Sequence, residues 1–225
     1  MKVDLIKKYS DDFAQRLLDE SYEVDMSKYD LLQQWSHHWD IEELDLADTY
    51  ATSMESTISG HLWGGSVDSA KSEMIRMIGE DREFMRSTFR DLFKDDLDLG
   101  LRVDRFEHHL DELYRQIKRK DHKAISHQHG RREIVLLLAA RYPDKYCLHD
   151  YAAFAEMMQR LESRRIPQEP ELERYFKSLR GIYKVATSHS PLLQQVLAMR
   201  CAALGITFLP SLMLMNDFMD FVAKK

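Results

Sequence analysis

Apolar residues recur along this chain at the three- and four-residue spacings of helices that bury one face. Leu31, Leu32, Trp35 and Trp39 share such a face, with Ser27 placed to cap the helix that carries them. The spacing of Leu44, Ala47, Tyr50 and Met54 predicts that helical structure continues over 40–59. Ser59 to Asp68, with glycines around Trp63, then predicts a loop. Met74, Ile75 and Ile78 form the face of another helix, and Phe84, Met85, Phe89 and Phe93 that of the next, with Gly79 between them as a C′ residue. Leu99, Val103, Phe106, Leu110, Leu113, Tyr114 and Ile117 give the longest stripe, preceded by a capping stretch from Asp95 to Gly100. It runs out into Lys118, Arg119, Lys120 and Lys123, cations at the end the helix macrodipole favours.

Gly130 to Ala140 predicts a buried helix, because the run from Ile134 to Ala140 is apolar on every side. Asp150 is placed to cap a helix through Phe154, Met157, Met158 and Leu161. A long helix follows through Leu172, Tyr175, Phe176, Leu179, Ile182, Tyr183 and Ala186. Ser190-Pro191 opens the next one and Gly205 stops it; Ser211 to Ala223 is a final amphipathic helix. Strand signals are confined to Lys145–Leu148 and Ile206–Leu209, and neither has a pairing turn beside it. The expected fold is all-α, a compact multi-helix arrangement of about ten helices. The Arg164–Pro170 segment, RRIPQEP, predicts a linker. It divides a helical domain over 1–163 from a C-terminal helical segment over 171–225 packed on it.

Composition places the chain among globular proteins, with 44% apolar and 31% charged residues in 225. Two cysteines, Cys147 and Cys201, are too few for a disulfide framework and point to a reducing cytoplasm. The opening MKVDLIKKYSDDF lacks the apolar run of a signal peptide, and no stretch is apolar for long enough to span a membrane. Charge changes the picture more. Met1 to Glu112 carries 13 Lys and Arg against 27 Asp and Glu, a net of −14; Leu113 to Lys225 carries 19 against 11, a net of +8. A basic half of this kind suits a polyanion, and an acidic half suits a protein partner.

The stretch His127 to Tyr151 concentrates candidate chemistry, because cations and aromatic rings follow the apolar run directly. Lys118, Arg119, Lys120, Lys123, Arg131, Arg132 and Lys145 are candidate phosphate contacts, and Tyr142, Tyr146 and Tyr151 candidate stacking residues. Trp63 reads as a loop anchor, Trp35 and Trp39 as core, and His127 as a cap on the buried helix through its ring N–H. Neither GxxxxGK[ST] nor GxGxxG is present, and neither is a paired-cysteine zinc spacing or a Gly-x-Ser-x-Gly elbow. The residues therefore predict recognition without catalysis, with no cofactor and no metal.

Two resemblances add to this. Arg102 and His108, on neighbouring turns of one helix, resemble the Arg and His of all-α ribonucleases of the HEPN type. In that reading His108 would act as acid or base and Arg102 would hold the scissile phosphate. More of the chain resembles the N-terminal region of McrB-type proteins, the GTPase subunits of modification-dependent restriction systems. His61-Leu62-Trp63, the run from Arg86 to Asp98, and RYPDKYCLHDY from Arg141 to Tyr151 follow in that family's order. LMLMNDFMDFVA resembles the segment leading into the GTPase domain, and the chain ends before such a domain could begin. The resemblance implies a target-selecting, DNA-recognising module of a restriction or antiviral defence protein. Its hydrolysis would be done by GTPase and nuclease domains or subunits. A protein-interaction or sensor module of a defence system is the alternative.

Overall fold

The computed structural model describes residues 1–55, 67–124 and 126–225. Among them are eleven helices and no strand. They are α1 (Val3–Leu18), α2 (Ser27–His38), α3 (Leu46–Ser53), α4 (Val67–Glu80), α5 (Arg82–Leu92), α6 (Leu99–Lys120), α7 (Arg131–Arg141), α8 (Tyr151–Arg160), α9 (Leu172–His189), α10 (Leu192–Ala203) and α11 (Leu214–Ala223). The all-α expectation holds. The loop expected over 59–68, with Trp63 as its anchor, falls largely outside the described residues.

Aspartates set four of the helix starts. Asp45, Asp81, Asp98 and Asp150 each accept a hydrogen bond from the backbone N–H three residues on, at 2.9–3.0 Å. Each cap satisfies one N–H that the first turn leaves without a helical partner. Two of these caps correct the periodicity. Asp45 starts α3 and breaks the helix predicted over 40–59, so Leu44 is 79% exposed instead of lining a core face. Asp81 separates α4 from α5, and Gly79 stays inside α4. Ser27 is the first helical residue, not the cap; Asp25 Oδ1 accepts from both its N–H (3.0 Å) and its hydroxyl (2.5 Å).

Helix ends follow the same logic. Gly205, at φ +73°, closes α10 with Ile206 N–H donating to Cys201 O (2.9 Å) and Gly205 N–H to Ala202 O (3.1 Å). That paired closure needs a left-handed residue, which glycine supplies without strain. Glu162 does the same at the end of α8 with a side chain present, at φ +50°.

The central helix is α7, whose residues Ile134 to Ala140 are all buried, and it packs against α2 and α6. The predicted α6 stripe is buried throughout, from Leu99 to Ile117. On the other side α11 lies against α8, α1 and α9, while α1 also packs on α10. One hydrophobic cluster takes in residues on both sides of the 164–170 segment. The strand candidate Lys145–Leu148 instead starts in a turn, where the Lys145 and Tyr146 N–H groups both donate to Tyr142 O at 3.0 Å, and continues as irregular backbone. Leu148 N–H donates to Asn216 Oδ1 (3.1 Å), and Asn216 Nδ2 donates to Leu148 O (2.8 Å). A side-chain amide thus does what a neighbouring strand would do. Among the described residues no helix is long and apolar enough to cross a membrane.

Candidate nucleic-acid interface

The cations expected to meet phosphate do not gather on one surface. Lys118, Arg119, Lys120 and Lys123 cluster around the end of α6. Lys118 Nζ lies 5.7 Å from the Tyr114 ring centre, and Lys120 is ion-paired with Glu80. Arg131 reaches Asp104 at 3.3 Å, fourteen positions before Lys118 on α6, or roughly 21 Å of helix rise. Arg132 is exposed beside it. Lys145 lies elsewhere again, ion-paired with Asp95, which holds its amine above the ordinary lysine value. Among the described residues Arg119, Lys123 and Arg132 form no ion pair.

Three of these pairs join the two halves. Glu80, Asp95 and Asp104 all come from the acidic half, and Lys120, Lys145 and Arg131 from the basic one. Pairs also run the other way, Lys2–Glu162, Lys28–Asp217 and Arg76–Asp121, so pairing between the halves leaves most of the +8 in place and screens particular cations. Exposed pairs of this kind are worth little in stability, but they lower the field a polyanion would meet.

Three aromatic and histidine expectations are corrected. Tyr146 is 4% exposed and cannot stack on a base; its hydroxyl accepts from Arg102 Nη2 at 2.8 Å. His127 does not cap α7. Its Nδ1 accepts from His129 N–H (3.1 Å), which leaves Nε2–H to donate to Asp111 (3.2 Å); Glu133 takes the Gly130 N–H instead. The ribonuclease pairing also fails. Arg102 is 2% exposed and donates to Leu92 O (3.1 Å) inside the fold, whereas His108 stands in solvent beside Glu112. Among the described residues no group of three or more His, Cys, Asp or Glu could hold a metal ion.

Cations and aromatic faces do meet at the end of α7, in a cleft of about 320 Å³ lined by Trp39, Asp40, Ile41, Arg90, Phe93, Arg141 and Tyr142. Its aromatic wall is built edge to face. Trp39 stacks on buried Trp35 (4.3 Å between ring centres) and meets the edge of Phe93 (6.1 Å), which meets Tyr142 at 6.4 Å. Tyr142 O–H donates to Phe93 O at 2.6 Å, fixing the ring, and Arg141 and Lys145 lie 5.2 and 5.3 Å from its centre. Arg141 is exposed and, among the described residues, has no ion-pair partner.

The opposite rim is held by arginines four residues apart on α5. Arg82 donates to Leu44 O (2.9 Å), Arg86 to Glu43 O (2.8 Å), and Arg90 Nη2 to both oxygens of Glu42 (2.6 and 2.7 Å). Each step along α5 thus grips one step of the 42–44 loop. The cleft offers one guanidinium without an ion-pair partner, aromatic ring surface and the Asp40 carboxylate, one oxygen of which accepts from Glu42 N–H at 2.9 Å. Those are the groups that hold a phosphate, a planar ring and a ring N–H respectively.

Set against protein-family models, curated proteins and solved structures, the chain matches none of them.

Of the cleft residues, the sequence reading names Tyr142 as a candidate stacking residue, carries Arg141 only within the RYPDKY match and the stretch around it, and assigns Trp39 to the core. Trp39 is half-buried, stacked on Trp35, and lines the cleft. Phe93 enters the sequence reading only as part of a helix face, and Arg90 only within the run from Arg86 to Asp98. The signal that could have found them is the 82, 86, 90 spacing of arginines on the side of α5 facing a polar, carbonyl-rich loop.

Proposed function

We propose that this chain is the DNA-recognition module of a restriction-type or antiviral defence protein, acting in the cytoplasm. In this reading it contacts DNA through the Trp39–Tyr142 cleft, and GTP hydrolysis and strand cleavage belong to other domains or subunits. The observation that carries it is the coincidence of an unpaired arginine, Arg141, with the Trp39, Phe93 and Tyr142 rings in one cleft. The sequence order resembling McrB-type proteins supports it, since RYPDKY contributes both Arg141 and Tyr142. Arg119, Lys123 and Arg132 would add non-specific phosphate contacts at the periphery. A mobility shift in low salt tests this, using duplexes with and without modified cytosine. Retardation of either duplex, weakened by Arg141→Ala, is expected; no retardation of either sinks the proposal.

A second reading, a protein-interaction module, draws on the internal pairing of Lys120, Arg131 and Lys145 with acids, which leaves less positive field for DNA. It predicts no retardation under the same conditions.

A further inference from the structure

A second cavity lies away from the Trp39–Tyr142 cleft. It is an open groove of about 370 Å³ between Met1, the Arg165–Pro167 segment and α9, where Arg174, Lys177, Ser178 and Gly181 line it. These four α9 residues fall within about 100° of the helix circumference. Leu172, Tyr175, Phe176, Leu179, Ile182 and Ala186 point to the core from the other side. The groove therefore sits on a face of α9 that the protein's own packing does not use.

Its charge is one-sided. Arg165, Arg174 and Lys177 are all exposed and all line it, and no acidic side chain does. Arg174 is ion-paired with Glu171, outside the lining. Arg165 and Lys177 form no ion pair among the described residues. Ser178 Oγ donates to Arg174 O (2.9 Å) and keeps its acceptor capacity.

Gly181 is the second observation. It stands in the middle of an 18-residue helix, where glycine is less favourable than alanine. A Cβ placed there would meet nothing within 4 Å, and its φ is not in the left-handed region. Neither packing nor backbone conformation calls for glycine. What its missing side chain does is leave the α9 backbone bare where it lines the groove, one turn beyond Lys177. A bare backbone near cations admits a ligand at close range.

We propose that this groove binds a phosphate ester. Arg165 and Lys177 would hold the phosphate, and a compact organic part would lie over Gly181 against Pro167 and Met1. Its volume is in the range of small-molecule sites, a nucleoside monophosphate included. The same chemistry occurs in a free phosphorylated metabolite and in the backbone of a single strand. The proposal stands apart from the DNA reading of the cleft.

Isothermal titration with adenosine 5′-monophosphate, adenosine and a short oligothymidylate tests it. Wild type, Lys177→Glu, Gly181→Leu and Arg141→Ala are compared, with thermal melts to check folding. Binding of the monophosphate but not adenosine, weakened about tenfold or more by Lys177→Glu and by Gly181→Leu, assigns a free phosphorylated ligand. Binding of the oligonucleotide alone, weakened by Lys177→Glu but not by Arg141→Ala, assigns a strand backbone. Absence of binding by all three probes overturns the proposal. So does binding that Lys177→Glu and Gly181→Leu leave unchanged. An oligonucleotide affinity lost only in Arg141→Ala overturns it as well, while leaving the cleft reading intact.

Discussion

Lys28 Nζ lies 2.5 Å from Asp217 Oδ1 in the interior, with the two side chains only 4% and 6% exposed. The pair ties the start of α2 to α11, and Tyr29 O–H reaches the other Asp217 oxygen at 3.4 Å. Burial outweighs the neighbouring ammonium and holds the Asp217 carboxyl above its ordinary value. Such a pair specifies geometry more than it stabilises, because desolvating both charges offsets most of their attraction.

Breaking one side of the pair is therefore the costly change. Lys28→Met leaves a buried carboxylate without its partner and should lose about 3–5 kcal/mol in urea unfolding at pH 7. The Lys28→Met/Asp217→Leu double variant should recover most of it. With the folded pKa of Asp217 raised, its cost is absent below the ordinary carboxylate range and grows as pH rises through the folded value. The gap between Lys28→Met and wild type should therefore narrow towards pH 4. A gap that is constant with pH would contradict this account.

Glu162 closes α8 at φ +50°, a conformation that suits glycine. Its exposed ion pair with Lys2 at 2.6 Å contributes little. Glu162→Gly should stabilise the fold by about 0.5–1 kcal/mol and raise the melting temperature by roughly 1–4 °C. Calorimetry reads this directly, and a lower melting temperature would show that the Lys2 contact matters more.

His129 is buried, and desolvation pushes its imidazole down to about 4. A base with a depressed folded value contributes stability that is present above its unfolded value and lost as pH falls towards the folded one. The window runs from about pH 6.5 down to about 4 and is worth about 3 kcal/mol. Urea midpoints measured across that window should fall less steeply for His129→Gln than for wild type.

Much of the fold was legible because the helices announce themselves by face. The α6 stripe and the apolar run of α7 are buried residue for residue as spacing predicts. Local caps were less legible. At Asp45 a side chain competing for the backbone ends a periodicity that would otherwise continue through Leu44. The site was partly legible, since Arg141 and Tyr142 are adjacent in sequence, but its other wall was not. Arg90 meets Glu42 across 48 positions, and no local pattern encodes that distance. The charge reversal was legible only as a sum, for a related reason. Composition gives the sign of each half, but only the fold shows that Lys145 faces Asp95 and Lys120 faces Glu80.

Asn216 supplies both hydrogen bonds of Leu148 from α11. Asn216→Leu should leave that N–H and C=O without partners and cost about 1–3 kcal/mol in urea unfolding. The loss should appear with α11 and the 145–148 connection exchanging amide hydrogens faster. A variant as stable as wild type would mean water replaces the amide at no cost.

The central claim is that DNA is held at the Arg141–Tyr142 cleft and not by the scattered paired cations. Fluorescence anisotropy of a labelled duplex, followed across a salt series, tests it most directly. Arg141→Ala should weaken binding about tenfold and reduce the slope of log affinity against log salt by about one. Lys120→Ala and Arg131→Ala, whose charges already face Glu80 and Asp104, should change the affinity by less than about threefold. Affinity unchanged in Arg141→Ala but lost in Lys120→Ala would contradict the account.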